Sequence, residues 1–252
     1  MAISHNPILN RAVSTELQQS KVDQAFDNLT QNPPMTIEST VAKVFISFLA
    51  LVATVAAVWI VQPLQQLVVG AYLPLILVAF GVGLYNSFAK NVNAVSVIAY
   101  SILEGLVIGA LTFVVEQFYP GIAMQAVLAT LCTAGAMFFA YRAGWIKVDA
   151  KFTKVMLFAI IGYAVAGLVN LIASLVTGGA MNVYNTPFAW VIALVGVGLA
   201  AFTLNLDFAA IQQGAANRAP ATLEWRFAFG LMSTLIWLYI EILRLLMILN
   251  RD

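Results

Sequence analysis

The chain has 252 residues, 62% of them hydrophobic and only 9% charged, with a formal net charge of +1. A soluble domain carries about 25% charged residues, so this composition excludes a water-facing globule, and the lack of a basic stripe excludes a nucleic-acid binder. A mean hydropathy of +0.92 places the chain among polytopic membrane proteins.

Residues 1–40 are polar and contain Asn6-Pro7 and Asn32-Pro33-Pro34. They read as a largely flexible cytosolic tail with one short amphipathic helix near 14–28. They do not read as a signal peptide, because the first apolar run starts late and runs long. Seven apolar runs follow, at roughly 43–62, 71–89, 94–116, 121–141, 153–176, 187–211 and 227–249. A helix needs about 20 residues, rising 1.5 Å each, to cross a hydrocarbon core of about 30 Å, and all seven qualify. Helices are required because lipid satisfies no backbone polar group. Long runs without alternation exclude a β-barrel. Turn chemistry separates the runs at Gln62-Pro63, Lys90-Asn91, Tyr119-Pro120-Gly121, Arg142-Ala143-Gly144, Gly178-Gly179 and Ala219-Pro220. The expected fold is all-α, a seven-transmembrane helical bundle over 41–252.

With seven spans, the tail and the loops after spans 2, 4 and 6 share one side. That side holds Arg11, Lys21, Lys43, Lys90, Arg142, Lys147, Lys151, Lys154, Arg218 and Arg226, whereas the other holds only Arg251. Basic loops stay inside, so the N-terminus is expected in the cytosol and the C-terminus outside. Trp59, Phe118, Tyr119, Trp145, Trp190 and Trp225 sit where interfacial belts form. Gly105 and Gly109 make a small-xxx-small pair on span 3, the pattern that lets helices approach.

Charge inside hydrocarbon is costly and seldom accidental. Lys90 and Glu116 lie at span ends and read equally as boundary residues. Glu104 follows Tyr100 by one turn and reads as a hydrogen-bonding group of the bundle interior. Asp207 lies near the cytosolic end of span 6, as either a water-reaching helix-end carboxylate or a titratable interior group. Glu241 and Arg244 are three apart in span 7 and share a helical face with Thr234 and Trp237. They read as a self-neutralising pair or as part of an ion site. Either way the polar stripe must face inward, which suits a central span 7.

Other chemistries fall away. His5 is the only histidine and lies in the tail, which removes histidine-based metal catalysis and a Ser–His–Asp triad. Cys132 is alone, so no internal disulfide forms. Acids on neighbouring spans suggest an intramembrane aspartyl protease, but no Gly-x-Gly-Asp surrounds either one. No enzymatic activity and no cofactor are expected. Two carboxylates side by side in a partly dry site do not both ionise cheaply. Such a pair holds a proton or a hard cation such as Ca²⁺.

Three segments carry a family likeness: Leu-Asp-Phe-Ala-Ala-Ile at 206–211, Leu-Tyr-Ile-Glu-Ile-Leu-Arg-Leu-Leu at 238–246, and Glu104-Gly105 followed by Tyr119-Pro120-Gly121. With the order of spans, they resemble the transmembrane Bax inhibitor motif family, in particular its bacterial, actinobacterial-type members. The resemblance implies six helices around span 7 and a pH-sensitive Ca²⁺ leak, with the gating carboxylate pair mapping to Asp207 and Glu241. Three departures stand out. Span 7 has Glu241 where the family often has Asp. No arginine occurs in Tyr85-Asn86-Ser87-Phe88-Ala89-Lys90, the place of the family's latch arginine, which leaves Lys90 or Arg244 as the latch. The connection 208–226 also looks long.

The expected function is a pH-sensitive Ca²⁺ leak channel of the bacterial inner membrane. Asp207 and Glu241 are the ion-binding and pH-sensing residues and possible Ca²⁺ ligands; Arg244 or Lys90 is the counter-charge, and Glu104 is polar support. Lipid, Ca²⁺, protons and other membrane proteins are the expected partners. The alternatives are a proton-coupled transporter of another solute, or a non-transporting regulator of proteins such as a membrane protease.

Overall fold

A computed structural model describes residues 33–180 and 182–251. The amphipathic helix expected near 14–28 lies outside the described residues. The helices are α1 (Ile37–Ile60), α2 (Gln62–Gly70), α3 (Tyr72–Phe88), α4 (Ala94–Phe118), α5 (Ile122–Arg142), α6 (Ala150–Val176), α7 (Ala189–Ala216) and α8 (Glu224–Leu249). Short 3₁₀ turns at Val183–Asn185 and Ala221–Leu223 precede α7 and α8.

The starts follow local chemistry. Thr36 caps α1 by accepting from Ser39 N at 3.1 Å. Asn93 and Ser96 form a reciprocal capping box on α4. Asp149 caps α6 by accepting from Phe152 N at 2.7 Å. Glu116, at the end of α4, accepts from Gly121 N and from Ala123 N, so it caps α5 across the turn.

Among the described residues six helices are long and apolar enough to cross a membrane, and a seventh span exists if α2 and α3, bent by 81°, count as one. The run 71–89 was expected to span alone. As α3 it has 17 residues, about 25 Å of rise, which falls short of the core. The Gln62-Pro63 break is no loop. Pro63 lies in the first turn of α2, where its missing N–H costs nothing. The chain therefore kinks at Val61 and restarts as helix, and Val68 packs with Val58 and Ala110. The connection after span 6 is also short, because α7 runs on to Ala216 and only residues 217–223 remain before α8.

The seventh span is central, as its polar stripe requires. Half of the α8 span window is buried, against 6% for α6. α8 packs on α1, α3, α4, α5 and α7, while α6 leans on α7. α4 packs tightly on α1: a Cβ on Gly105 would sit 2.7 Å from Thr54 Cβ and 2.8 Å from the Leu51 carbonyl oxygen. Backbone cannot yield there, so Gly105→Val is expected to cost about 1–3 kcal/mol through overpacking. Unfolding in mixed detergent–SDS micelles measures this, and an unchanged midpoint would contradict the close approach.

At the basic end, the segment before α1 is clasped to the start of α8. Pro34 bridges Pro220, Met35 N donates to Ala219 O at 2.7 Å, and Ala221 N donates to Pro33 O at 2.8 Å. Glu224, 2% exposed, accepts from Thr36 N at 2.9 Å and from Ser39 Oγ at 2.6 Å, and pairs with Lys43. Lys43 also lies over the Trp225 ring. Glu224→Gln keeps the shape but removes a charge-assisted bond. It is expected to cost about 2 kcal/mol in the same unfolding measurement, and Lys43→Met in the Gln background should then cost almost nothing more.

Candidate functional site

Asp207 lies in α7, two turns in from its basic end. Its Oδ1 faces α8, 3.8 Å from where a Cβ on Gly230 would stand, with Thr234 beside it. Its Oδ2 is buried without a hydrogen-bond partner among the described residues. Two ion pairs occur among the described residues, Lys43–Glu224 and Arg244–Glu241, and neither involves Asp207. The carboxylate therefore stands inside the bundle with no counter-charge among the described residues.

Glu241 is 3% exposed and fully engaged. Trp237 Nε1 donates to Oε1 at 3.1 Å, and Arg244 Nη1 donates to Oε2 at 2.8 Å. The same Nη1 donates to the Tyr184 hydroxyl at 3.2 Å, and the guanidinium lies 4.8 Å from the Tyr184 ring centroid. Gly196 of α7 makes room for this cluster. A Cβ there would fall 2.3 Å from the Tyr163 hydroxyl and 2.6 Å from Glu241 Oε2.

These contacts set the register of α7 against α8. Gly196 faces Glu241, and Asp207 faces Gly230. Each pair of positions on one helix is eleven residues apart, about 16 Å along the axis at 1.5 Å per residue. The acids expected to pair are thus separated along the bundle. Ca²⁺ takes six to eight oxygens at about 2.3–2.6 Å, so Asp207 and Glu241 cannot ligate one ion in this arrangement. Among the described residues no group of three or more His, Cys, Asp or Glu side chains comes together either. The pairing expected from sequence failed because span assignment gives each acid a depth along its own helix, whereas inter-helix register comes from small residues.

The other candidates separate as well. Arg244 is the counter-charge of Glu241, one of its two expected roles. Lys90 is exposed and joins neither ion pair. Arg226 of α8 reaches the span 2–3 connection instead, where it donates to Ala89 O. Glu104 is half-buried beside Tyr100, which packs edge-on against Phe229 at 5.0 Å and lies beside Ser233. Glu104 is therefore linked to α8 through a tyrosine, not in contact with Asp207 or Glu241 by any hydrogen bond or ion pair described.

A model of the family described as Bax inhibitor 1 like matches residues 6–251, essentially the whole chain. The chain belongs to the Bax inhibitor 1 like family. No curated protein matches it. This Bax inhibitor 1 like protein is thus a multi-pass membrane protein whose interior acids fall at two levels. Sequence reading missed Tyr163, Tyr184 and Arg226 as partners. Only their lone polar positions within or beside apolar runs hinted at them, and such positions equally suit the interface.

Proposed function

We propose that this Bax inhibitor 1 like protein is a cation leak pathway, Ca²⁺ among its ions, regulated by protonation of Asp207 alone and not by an Asp207–Glu241 pair. One observation carries the reading: a buried carboxylate with an unpartnered oxygen and no counter-charge among the described residues. A lone interior carboxylate is expensive to keep bare, so it takes up a proton or a cation. The two compete, and pH decides between them. Glu241 is a poor competitor for this role, since Trp237 and Arg244 occupy both its oxygens. Neutral oxygens supply the remaining ligands of a passing ion, as oxygen-liking cations accept.

The basic end of the bundle faces the cytosol of a bacterial cell on this reading, by the positive-inside rule. Asp207 then lies in the cytosolic half and Glu241 in the outer half. The protein needs no catalytic group. The test is ⁴⁵Ca²⁺ uptake into proteoliposomes at about pH 6 and about pH 8. Uptake above that of empty vesicles, larger at the higher pH and unsaturated with Ca²⁺, is expected. Saturation with counterflow would instead mark a proton-coupled transporter, and uptake equal to empty vesicles would end the reading.

A further inference from the structure

We propose that the cavity between α6 and α8 binds an anionic amphiphile, with its acid head on Arg244 and its apolar body along α6. The cavity measures about 520 Å³, within the range of small-molecule sites, about 300–1,000 Å³. It lies apart from Asp207 and needs nothing of the leak reading.

Its walls divide by chemistry. Ile160, Ala164, Gly167 and Leu171 line it from α6. Their spacing puts them on one helical face, and α6 is the least buried span. That gives an apolar strip, with Tyr163, Asn170 and Ser174 beside it, on the helix most open to lipid. The polar end is built from Asn182, Tyr184 and Arg244, with the Glu241 to which Arg244 is paired also in the wall. Asn170 Oδ1 accepts from Val183 N at 2.8 Å, and Asn182 Oδ1 accepts from Tyr184 N at 3.0 Å, so this rim is already shaped. Preorganisation of this kind lowers the cost of binding.

The sign of the ligand follows from exposure. Glu241 is 3% exposed with both oxygens bonded, whereas the Arg244 side chain is 30% exposed. The charge presented to the cavity is therefore a guanidinium, whose planar fork suits carboxylate and phosphate. Arg251 Nη1 also donates to the Tyr184 carbonyl oxygen at 2.8 Å. Among the described residues two guanidiniums thus flank Tyr184 against the one carboxylate of Glu241, a balance that favours anions over cations. A small inorganic anion would leave the apolar wall unfilled, and an uncharged lipid would leave the guanidinium unmatched. A fatty-acid carboxylate and a phospholipid phosphate share the required chemistry.

The test uses the full chain in neutral maltoside micelles, titrated with oleate, phosphatidylglycerol, oleyl alcohol and inorganic phosphate and followed by native mass spectrometry. Oleate or phosphatidylglycerol is expected to saturate at one per chain. Oleyl alcohol and phosphate should bind at least about tenfold more weakly, the loss expected for a missing charged hydrogen bond or a missing apolar body. The tighter of the two anions identifies the source as free fatty acid or lipid headgroup. Gly167→Phe fills the cavity from a position with no atom within 4 Å of its Cβ, so it should leave the thermal transition in place and abolish saturable binding. Arg244→Lys, which keeps charge but loses the fork, should weaken binding about tenfold. Equal binding of oleyl alcohol and oleate, no saturable binding of either anion, or an oleate Kd unchanged in Gly167→Phe would each overturn the proposal.

Discussion

Arg244→Ala is expected to destabilise the bundle by about 3–5 kcal/mol, the cost of breaking a buried ion pair from one side. Glu241, 3% exposed in the intact bundle, would keep only Trp237 as a donor. It cannot turn toward α7, where Gly196 packs against it, and Tyr163 of α6 stands beside it. The penalty arises from the stranded acid and not from the lost arginine. Arg244→Ala with Glu241→Gln should therefore recover most of the stability, although each substitution alone is harmful. A double-mutant cycle by unfolding in mixed detergent–SDS micelles measures the coupling. A coupling near zero would mean that the acid is hydrated or protonated in the folded protein and that the pair is incidental.

Asp207→Asn is expected to remove the pH dependence of Ca²⁺ uptake and to lower uptake at about pH 8 by about tenfold. Asparagine keeps the shape of the side chain and its place beside Gly230 and Thr234 but holds neither a proton nor a cation by charge. The sign runs one way. Raising the pH strips the proton and opens the site to a cation, so the wild type gains uptake while the variant stays flat. Glu241→Gln is the control that separates a single-acid site from a paired one. With the two acids about 16 Å apart along the helices, it should preserve the pH response even if it shifts stability. A pH response lost equally in both single variants would show that the two acids meet during the transport cycle, and the single-acid reading would fail.

Much of this molecule was readable from the chain. The number and rough ends of the spans follow from apolar length and turn residues; the caps Thr36, Asn93 and Asp149 were not singled out in the sequence, although their bonding is short-range. The Glu241–Arg244 contact follows from three-residue spacing on one helix, and the Gly105 approach from its pattern with Gly109. Each involves residues near one another in sequence. The restart of α2 was missed because Pro63 suits a loop and a helix start equally. The Glu224–Lys43 clasp was missed because it joins positions 181 residues apart.

The sequence alone determined which segments enter the membrane and which charges go with them, since hydrocarbon penalises every unpaired backbone group and every bare charge whatever the neighbouring helix. Only the tertiary structure decided which charges meet. Sliding one helix past another by three turns changes no hydropathy and no local propensity; it moves Asp207 between Glu241 and Gly230. That choice is made by steric fit at residues such as Gly196, where a methyl would stand 2.6 Å from a carboxylate oxygen and would push the Glu241 head out of its place.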